Sequence, residues 1–332
     1  MNLMYNPAVY ARAFTPGGRR KIALARGRLH SAERTPGLTN LTEQGIVLND
    51  EVPVHYYVVG PHDAPVTVVY VHGFTLAAEA FYQQVDHLRG ENIRQVLLDL
   101  RGHGQTGAVR PEGCSIDDAA DDVWTVMQEC SVTGPVIVVG HSLGGLVGLS
   151  LIRRYAGQFE LAGAVMINSS VEELSDQGVP QILATPLARA VYDAVEASPE
   201  EADEFRDDVT KLLAPSLAIA VFHRETRRDL IEFHAAMIHE TPLETFVGYF
   251  DDLQIHNELN TGPYLEQVPG YIIAGVHDDV TPLSQAERLQ EIWPSAYLQV
   301  IPGAGHMLPL ETPATVSTAI LRLVRDTVQR DD

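Results

Sequence analysis

The sequence predicts an α/β fold: a doubly wound, mostly parallel sheet of eight strands, interrupted by a helical cap insertion. Three observations carry this. Runs of β-branched residues alternate with helix-length amphipathic segments through both ends of the chain, which is the pattern of successive βαβ units. Between about Ser170 and Thr241 the strand pattern stops, and helix-length segments follow one another, punctuated by Pro180, Pro186, Pro199, Pro215 and Pro242. Finally, Pro135–Leu146 reads as a buried strand, a very tight turn and a helix start, with one hydroxyl, Ser142, at the apex.

The elements follow in order. Residues 41–59 alternate around Asn49–Asp50 and predict an antiparallel hairpin. Val66–Val71 is continuously apolar, as a strand covered on both faces must be. His72-Gly73-Phe74 ends it, and Leu76–Arg89 has helical spacing. Gln95–Asp99 is the next strand. Ser115 is the expected N-cap of a helix running to about Cys130, with Asp117 and Asp118 in the first turn complementing its dipole. After the strand ending at Gly140, helical spacing resumes over Leu146–Ala156, and Gly163–Asn168 is a further strand. Ala184–Ala197, Pro199–Leu213, Leu217–Arg227 and Arg228–His239 read as the helices of the insertion. The strands Gly270–Gly275 and Tyr297–Ile301 follow, each succeeded by a helix (Leu283–Trp293, Ala314–Gln329). The expected organisation is a basic arm at 1–40, a core from 41–169 and 243–332, and a helical cap at 170–242.

A length of 332 residues suits one such core carrying an insertion. The net charge of −21 argues against nucleic acid, which requires a positive surface to displace counterions. The charge is uneven: Arg12, Arg19, Arg20, Lys21, Arg26 and Arg28 all precede the first acidic residue, Glu33. This arm lacks an apolar helical face and is expected to lie on the acidic body; contact with an anionic partner or membrane is the alternative. No run is apolar enough for a secretory signal or a stable membrane insertion. Cys114 and Cys130, at opposite ends of a predicted helix, would lie roughly 20 Å apart, beyond the ~7 Å reach of a disulfide. Two free thiols and a cytoplasmic setting are therefore expected. The sequence leaves homo-oligomerisation open.

In doubly wound sheets, chemistry sits beyond the carboxyl ends of the strands. Ser142 lies there within Gly140-His141-Ser142-Leu143-Gly144, a G-x-S-x-G turn between a strand and a helix. A Gly-rich turn with an incidental serine is the plain alternative. A serine hydroxyl needs a base to become a nucleophile, and the base needs an orienting carboxylate. His306 follows a strand through Pro302-Gly303-Ala304-Gly305, and Asp278 follows another in Gly275-Val276-His277-Asp278. Asp279 competes with Asp278 for the acid position. A metal site at His277–Asp279 is disfavoured, because adjacent side chains diverge.

On these residues the chain resembles the α/β-hydrolase superfamily, in its capped, esterase- and lipase-like branch. The resemblance covers about residues 42–328. Its motifs are His-Gly-Phe at 72–74, Asp-Leu-Arg-Gly-His-Gly at 99–104, Gly-His-Ser-Leu-Gly-Gly at 140–145, the Gly-x-x-Asp-x-x-x-Pro of 275–282 and Gly-His-Met-Leu-Pro-Leu-Glu at 305–311. It implies Ser142 as nucleophile, His306 as general base, and Asp278 as the group fixing the imidazole. It further implies an oxyanion hole from the backbone amides of Phe74 and Leu143. The spacing to Pro282 in that pattern favours Asp278 over Asp279. Asp99, Arg101 and His103 would be loop-fixing hydrogen bonders. Phe74 and Met307 are candidates for substrate binding, with core packing the competing account. The implied activity is cleavage of a fairly apolar, small-molecule carboxylic ester through an acyl-enzyme, without a cofactor or metal. An acyltransferase, lactonase, perhydrolase or C–C hydrolase could use the same three residues, and a hydrolase-fold receptor without turnover is the remaining alternative.

Overall fold

The structure, a computed structural model, describes residues 36–38, 43–173 and 221–331. Its strands are β1 (Gln44–Asn49), β2 (Val52–Val59), β3 (Thr67–Val71), β4 (Arg94–Leu98), β5 (Pro135–His141), β6 (Glu160–Ile167), β7 (Gly270–Gly275) and β8 (Ala296–Ile301). They form one eight-stranded sheet in the order β1-β2-β4-β3-β5-β6-β7-β8. The β1–β2 and β2–β4 pairs are antiparallel and all later pairs parallel. The hairpin turns at Asp50 and Glu51, whose φ values of 46° and 69° give the left-handed turn that matches strand twist. Strand order reverses around β3, which lies between β4 and β5. The segments after β3 and β5 therefore leave the sheet side by side at a topological switch point.

Parallel strands need cover on both faces, and β5 shows how the sequence supplies it. Ile137 and Val139 belong to one buried layer with Val68, Tyr70 and Ile320. Val136 and Val138 belong to the other, with Val69, Val123 and Val147. Among the described residues, the helices of seven residues or more are α1 (Tyr82–Leu88), α2 (Ile116–Glu129), α3 (Leu143–Arg154), α4 (Arg228–Glu240), α5 (Leu243–Ile255), α6 (Leu283–Ile292) and α7 (Pro313–Asp331). Ser115 caps α2 as expected, its hydroxyl accepting from Asp118 N at 3.0 Å. The segment expected to be helical from Leu76 instead opens with a 3₁₀ turn at Ala78–Phe81 before α1.

Three further departures trace to partners distant in sequence. Helix α3 begins at Leu143, not Leu146, directly after Ser142. The helix expected over Leu217–Arg227 does not continue past residue 221. There the backbone serves another loop: Val221 O accepts from His306 N at 2.8 Å, and the amides of His223 and Arg224 donate to the Glu311 carboxylate at 3.2 and 2.9 Å. Helix α5, to which the sequence reading assigned no element, packs Thr245 against the 99–104 loop, its Oγ1 donating to Gly102 O at 2.7 Å. The expected helices Ala184–Ala197 and Pro199–Leu213, the start of Leu217–Arg227, and nearly all of the basic arm lie outside the described residues. Among the described residues, no helix is long and apolar enough to cross a membrane.

Two buried clusters pair acidic with basic side chains. Arg101 grips Asp122 through two 2.7 Å hydrogen bonds, tying the 99–104 loop to α2. Where the chain returns from α5 to the core, His256 meets Glu258 at 2.8 Å and Asp252 at 3.5 Å, while Arg153 holds Glu258 at 2.9 Å. Burial alone would lower the pKa of His256. Hydrogen bonds to the two carboxylates outweigh it and hold the imidazolium up to about 9. A raised folded-state pKa contributes stability that is fully present below the unfolded value near 6.5 and is lost as pH rises through about 9. Thermal melts should therefore show wild type more stable than His256→Gln at pH 6, with the gap closing as pH passes 9. A gap independent of pH would contradict this linkage.

Candidate active site

Ser142 sits where β5 becomes α3, with φ 55° and ψ −121°, a conformation rarely adopted by residues other than glycine. The neighbouring backbone is too close for side chains. A Cβ on Gly144 would lie 2.1 Å from Val71 O, and one on Gly140 2.4 Å from Gly144 O. The turn is pinned by Ser142 N donating to Ile167 O (3.0 Å) and by Gly145 N and Ser169 Oγ donating to Ser142 O (both 2.9 Å). Leu143 is the first residue of α3, so its amide is one of those that a helix leaves without an internal acceptor.

The structure brings His306 and Asp278 together: His306 Nδ1 lies 2.8 Å from Asp278 Oδ2. Asp278 is fixed by three further donors, Val280 N (2.8 Å), Thr281 N (3.0 Å) and Thr281 Oγ1 (2.7 Å). Burial would raise its pKa, but His306 and these hydrogen bonds outweigh it and hold the carboxyl below its ordinary value. An ionised carboxylate only accepts. The hydrogen on His306 must then reside on Nδ1, leaving Nε2 as the basic nitrogen. Asp279 is exposed, and it is Asp278 that meets the imidazole.

The backbone of the His306 loop is gripped from β6 and β5. Asn168, buried with φ 43°, donates from Nδ2 to Gly305 O and His306 O at 2.8 Å each, and accepts from Gly275 N at 2.8 Å. One side chain thus joins the loop carrying Asp278 to the loop carrying His306. His141 Nε2 donates to the same His306 carbonyl at 2.9 Å. Burial pushes the pKa of His141 down to about 3, so this ring is neutral.

The segment bearing Phe74 is secured by two neutral imidazoles. His72 bridges Gly73 O (2.8 Å) and Leu100 N (3.0 Å); His103 bridges Arg101 O (3.0 Å) and Thr75 N (3.2 Å). Each ring donates to a carbonyl and accepts from an amide, which requires the uncharged form. Burial drives both in that direction, His103 to about 3. Asp99 fastens the same region, accepting from Ala78 N at 2.8 Å and Gln105 N at 3.1 Å.

These groups converge on a cavity of about 60 Å³ lined by Ser142, His306, His141, Phe74 and Met307 from the core, and by His234, Ile238 and Phe246 from α4 and α5. Phe74 packs edge-on against Phe246 at 5.1 Å. Among the described residues no hydrogen bond joins Ser142 to His306. Hydrogen bonds between a nucleophile and its base commonly tighten only when substrate is bound. Sequence reasoning missed Asn168, His234 and Phe246. The only signal for Asn168 was its place at a strand end; His234 and Phe246 carried none. A cluster with metal-like spacing occurs elsewhere: donor atoms of Asp117, His256 and Glu258 lie within 4.8 Å of one another. Arg153 already donates to both of its carboxylates, and His256 is protonated at neutral pH, so the cluster's charge is met by its own side chains.

Asn168→Ala would strand one amide and weaken the hold on two carbonyls. It should lower unfolding free energy by about 2–4 kcal/mol in urea titration. A change below about 0.5 kcal/mol would show that the clamp is not structural.

The sequence profile of the alpha/beta hydrolase family matches residues 68–319. LipZ of Mycobacterium tuberculosis, which carries a hydrolase name, is 27% identical over 273 residues, covering 80% of this chain and 91% of that protein. The bifunctional esterase/perhydrolase DCH of Acinetobacter calcoaceticus is 25% identical over 288 residues, 84% and 99% of the two chains. A thermophilic esterase from Thermogutta terrifontis superposes with a TM-score of 0.68 at 22% identity, over 86% of this chain and 98% of that one. Sheet order, the turn at Ser142 and the profile agree: this chain belongs to the alpha/beta hydrolase family.

Proposed function

We propose that the chain is a serine hydrolase that cleaves carboxylic esters through an acyl-enzyme. The observation that carries this reading is the buried, ionised Asp278 carboxylate 2.8 Å from Nδ1 of His306, whose ring lines the same cavity as Ser142. In this reading Ser142 Oγ attacks the ester carbon while His306 Nε2 takes the hydroxyl proton. The resulting imidazolium is stabilised by Asp278. The tetrahedral oxyanion is met by the amides of Phe74 and Leu143, worth ~10²–10³ in rate per donor. Collapse breaks the bond to the leaving alkoxide, which receives the proton from His306. Water then attacks the acyl-enzyme by the same route in reverse, releasing the acid and restoring Ser142.

Residues 170–242 act in this account as a lid. The apolar side chains Phe74, Ile238, Phe246, Val280 and Met307 around the cavity support a largely apolar substrate. Both cysteines are free and buried, with burial raising Cys114 to about 12 and Cys130 to about 11, which fits a reducing cytoplasm and leaves both thiols inert.

Ser142→Ala should reduce p-nitrophenyl butyrate hydrolysis by ~10³-fold or more with the fold intact by circular dichroism. Asp278→Asn should lower kcat by ~10³–10⁴, whereas Asp279→Asn should leave it within about twofold. Full turnover by the serine variant would overturn the mechanism.

A further inference from the structure

His234 has no part in the mechanism above, yet it lines the same cavity as Ser142 and His306. It projects from α4 and is 2% exposed. Its Nδ1 is buried and has no hydrogen-bond partner among the described residues. The ring is set edge-on against Phe222, with centroids 5.2 Å apart at 87°. Burial, with His306 nearby adding in the same direction, lowers its pKa to about 3, so the ring is neutral, with one N–H and one lone pair.

A buried polar atom without a partner is costly, and native structures keep few of them. Phenylalanine would fill this place beside Phe222 without that cost. His141 differs, because its orphaned Nδ1 accompanies an Nε2 that holds the His306 carbonyl. For His234, the tautomer that hides only a lone pair at Nδ1 places the hydrogen on Nε2. That is the less costly choice, since orphaned buried N–H groups are rarer than under-satisfied acceptors. With Nδ1 closed off, Nε2 is the nitrogen a ligand can reach. Its complement is an uncharged oxygen. A carboxylate would enter an apolar cavity with no cation to meet it.

Resting on the ester-hydrolase reading, we propose that His234 is a specificity-determining residue. Its Nε2–H donates to an oxygen substituent a few atoms from the scissile carbonyl, so the preferred substrates are oxygenated esters (hydroxy, oxo or alkoxy) and not plain alkyl esters. The acyl and alcohol portions are the two places that oxygen can occupy.

The test uses matched pairs in both portions: p-nitrophenyl 3-hydroxybutyrate against p-nitrophenyl butyrate, and 2-methoxyethyl butyrate against propyl butyrate. Wild type should favour the oxygenated member of at least one pair by about tenfold in kcat/KM, the effect of one net hydrogen bond. His234→Phe should bring that ratio to about one while leaving the melting temperature unchanged or higher, because an orphaned nitrogen is removed. His234→Gln, which restores a donor, should recover part of the preference. The same pairs titrated by NMR into Ser142→Ala report binding without turnover. If wild type cleaves no ester, the hydrolase reading fails, and the binding ratio in that variant still decides the role of His234. No preference in either pair, or a preference that survives in His234→Phe, overturns the proposal. So does a fall in melting temperature with the ratio unmoved, which would mark His234 as structural.

Discussion

The carboxyl edge of this sheet is governed by how closely three stretches of backbone approach where β5 turns into α3. Val71 O, the Gly144 backbone and the Gly140 backbone meet with no room for a Cβ at either glycine. Ser142 is thereby forced to a positive φ of 55°, a strain of about 1–3 kcal/mol that the surrounding structure must offset. It is offset by the strand that feeds the turn: Val136, Ile137, Val138 and Val139 are all fully buried, each worth about 1.5–3 kcal/mol of hydrophobic burial. The strained turn is therefore affordable only because the sheet below it is so thoroughly covered.

From that fixed apex the rest of the edge is assembled by polar side chains buried between loops. Asn168 reaches from the end of β6 to the loops after β7 and β8, and His141 reaches from β5 to the latter. His72 and His103 do the equivalent on the other side of the switch point, between the loops after β3 and β4. In each case a neutral side chain satisfies backbone groups that a loop would otherwise leave unpaired. These networks are fully directional in a low-dielectric interior. In the proposed mechanism, such rigidity keeps the amides and imidazole in place before substrate arrives, which is where electrostatic catalysis gains most.

Much of this was legible in the sequence. The strands announced themselves as β-branched runs. The rule that chemistry follows strand ends directs attention to Ser142, His306 and the Asp278–Asp279 pair, the family pattern favours Asp278, and the structure brings Asp278 and His306 into contact. What stayed hidden depends on distant partners. Gly144 and Gly145 are poor helix formers, so periodicity placed the start of α3 at Leu146, while close packing against β3 draws it back to Leu143. The stretch 222–227 looked helical, but its amides are claimed by Glu311, far along the chain. Asn168 shows only its place at a strand end and His234 shows no signal, because what gives each a role is distant in sequence: contact with Gly275, Gly305 and His306 in one case, a cavity shared with Ser142 and His306 in the other.

The central claim is that Ser142, His306, Asp278 and two backbone amides act on one reacting centre. A crystal structure after treatment with a p-nitrophenyl alkylphosphonate tests it most directly. The account predicts phosphorus bonded to Ser142 Oγ, the phosphoryl oxygen within ~3 Å of the amides of Phe74 and Leu143, and His306 Nε2 within hydrogen-bond reach of the adduct. An unlabelled Ser142 in folded protein, or an adduct whose oxygen points away from both amides, would contradict it.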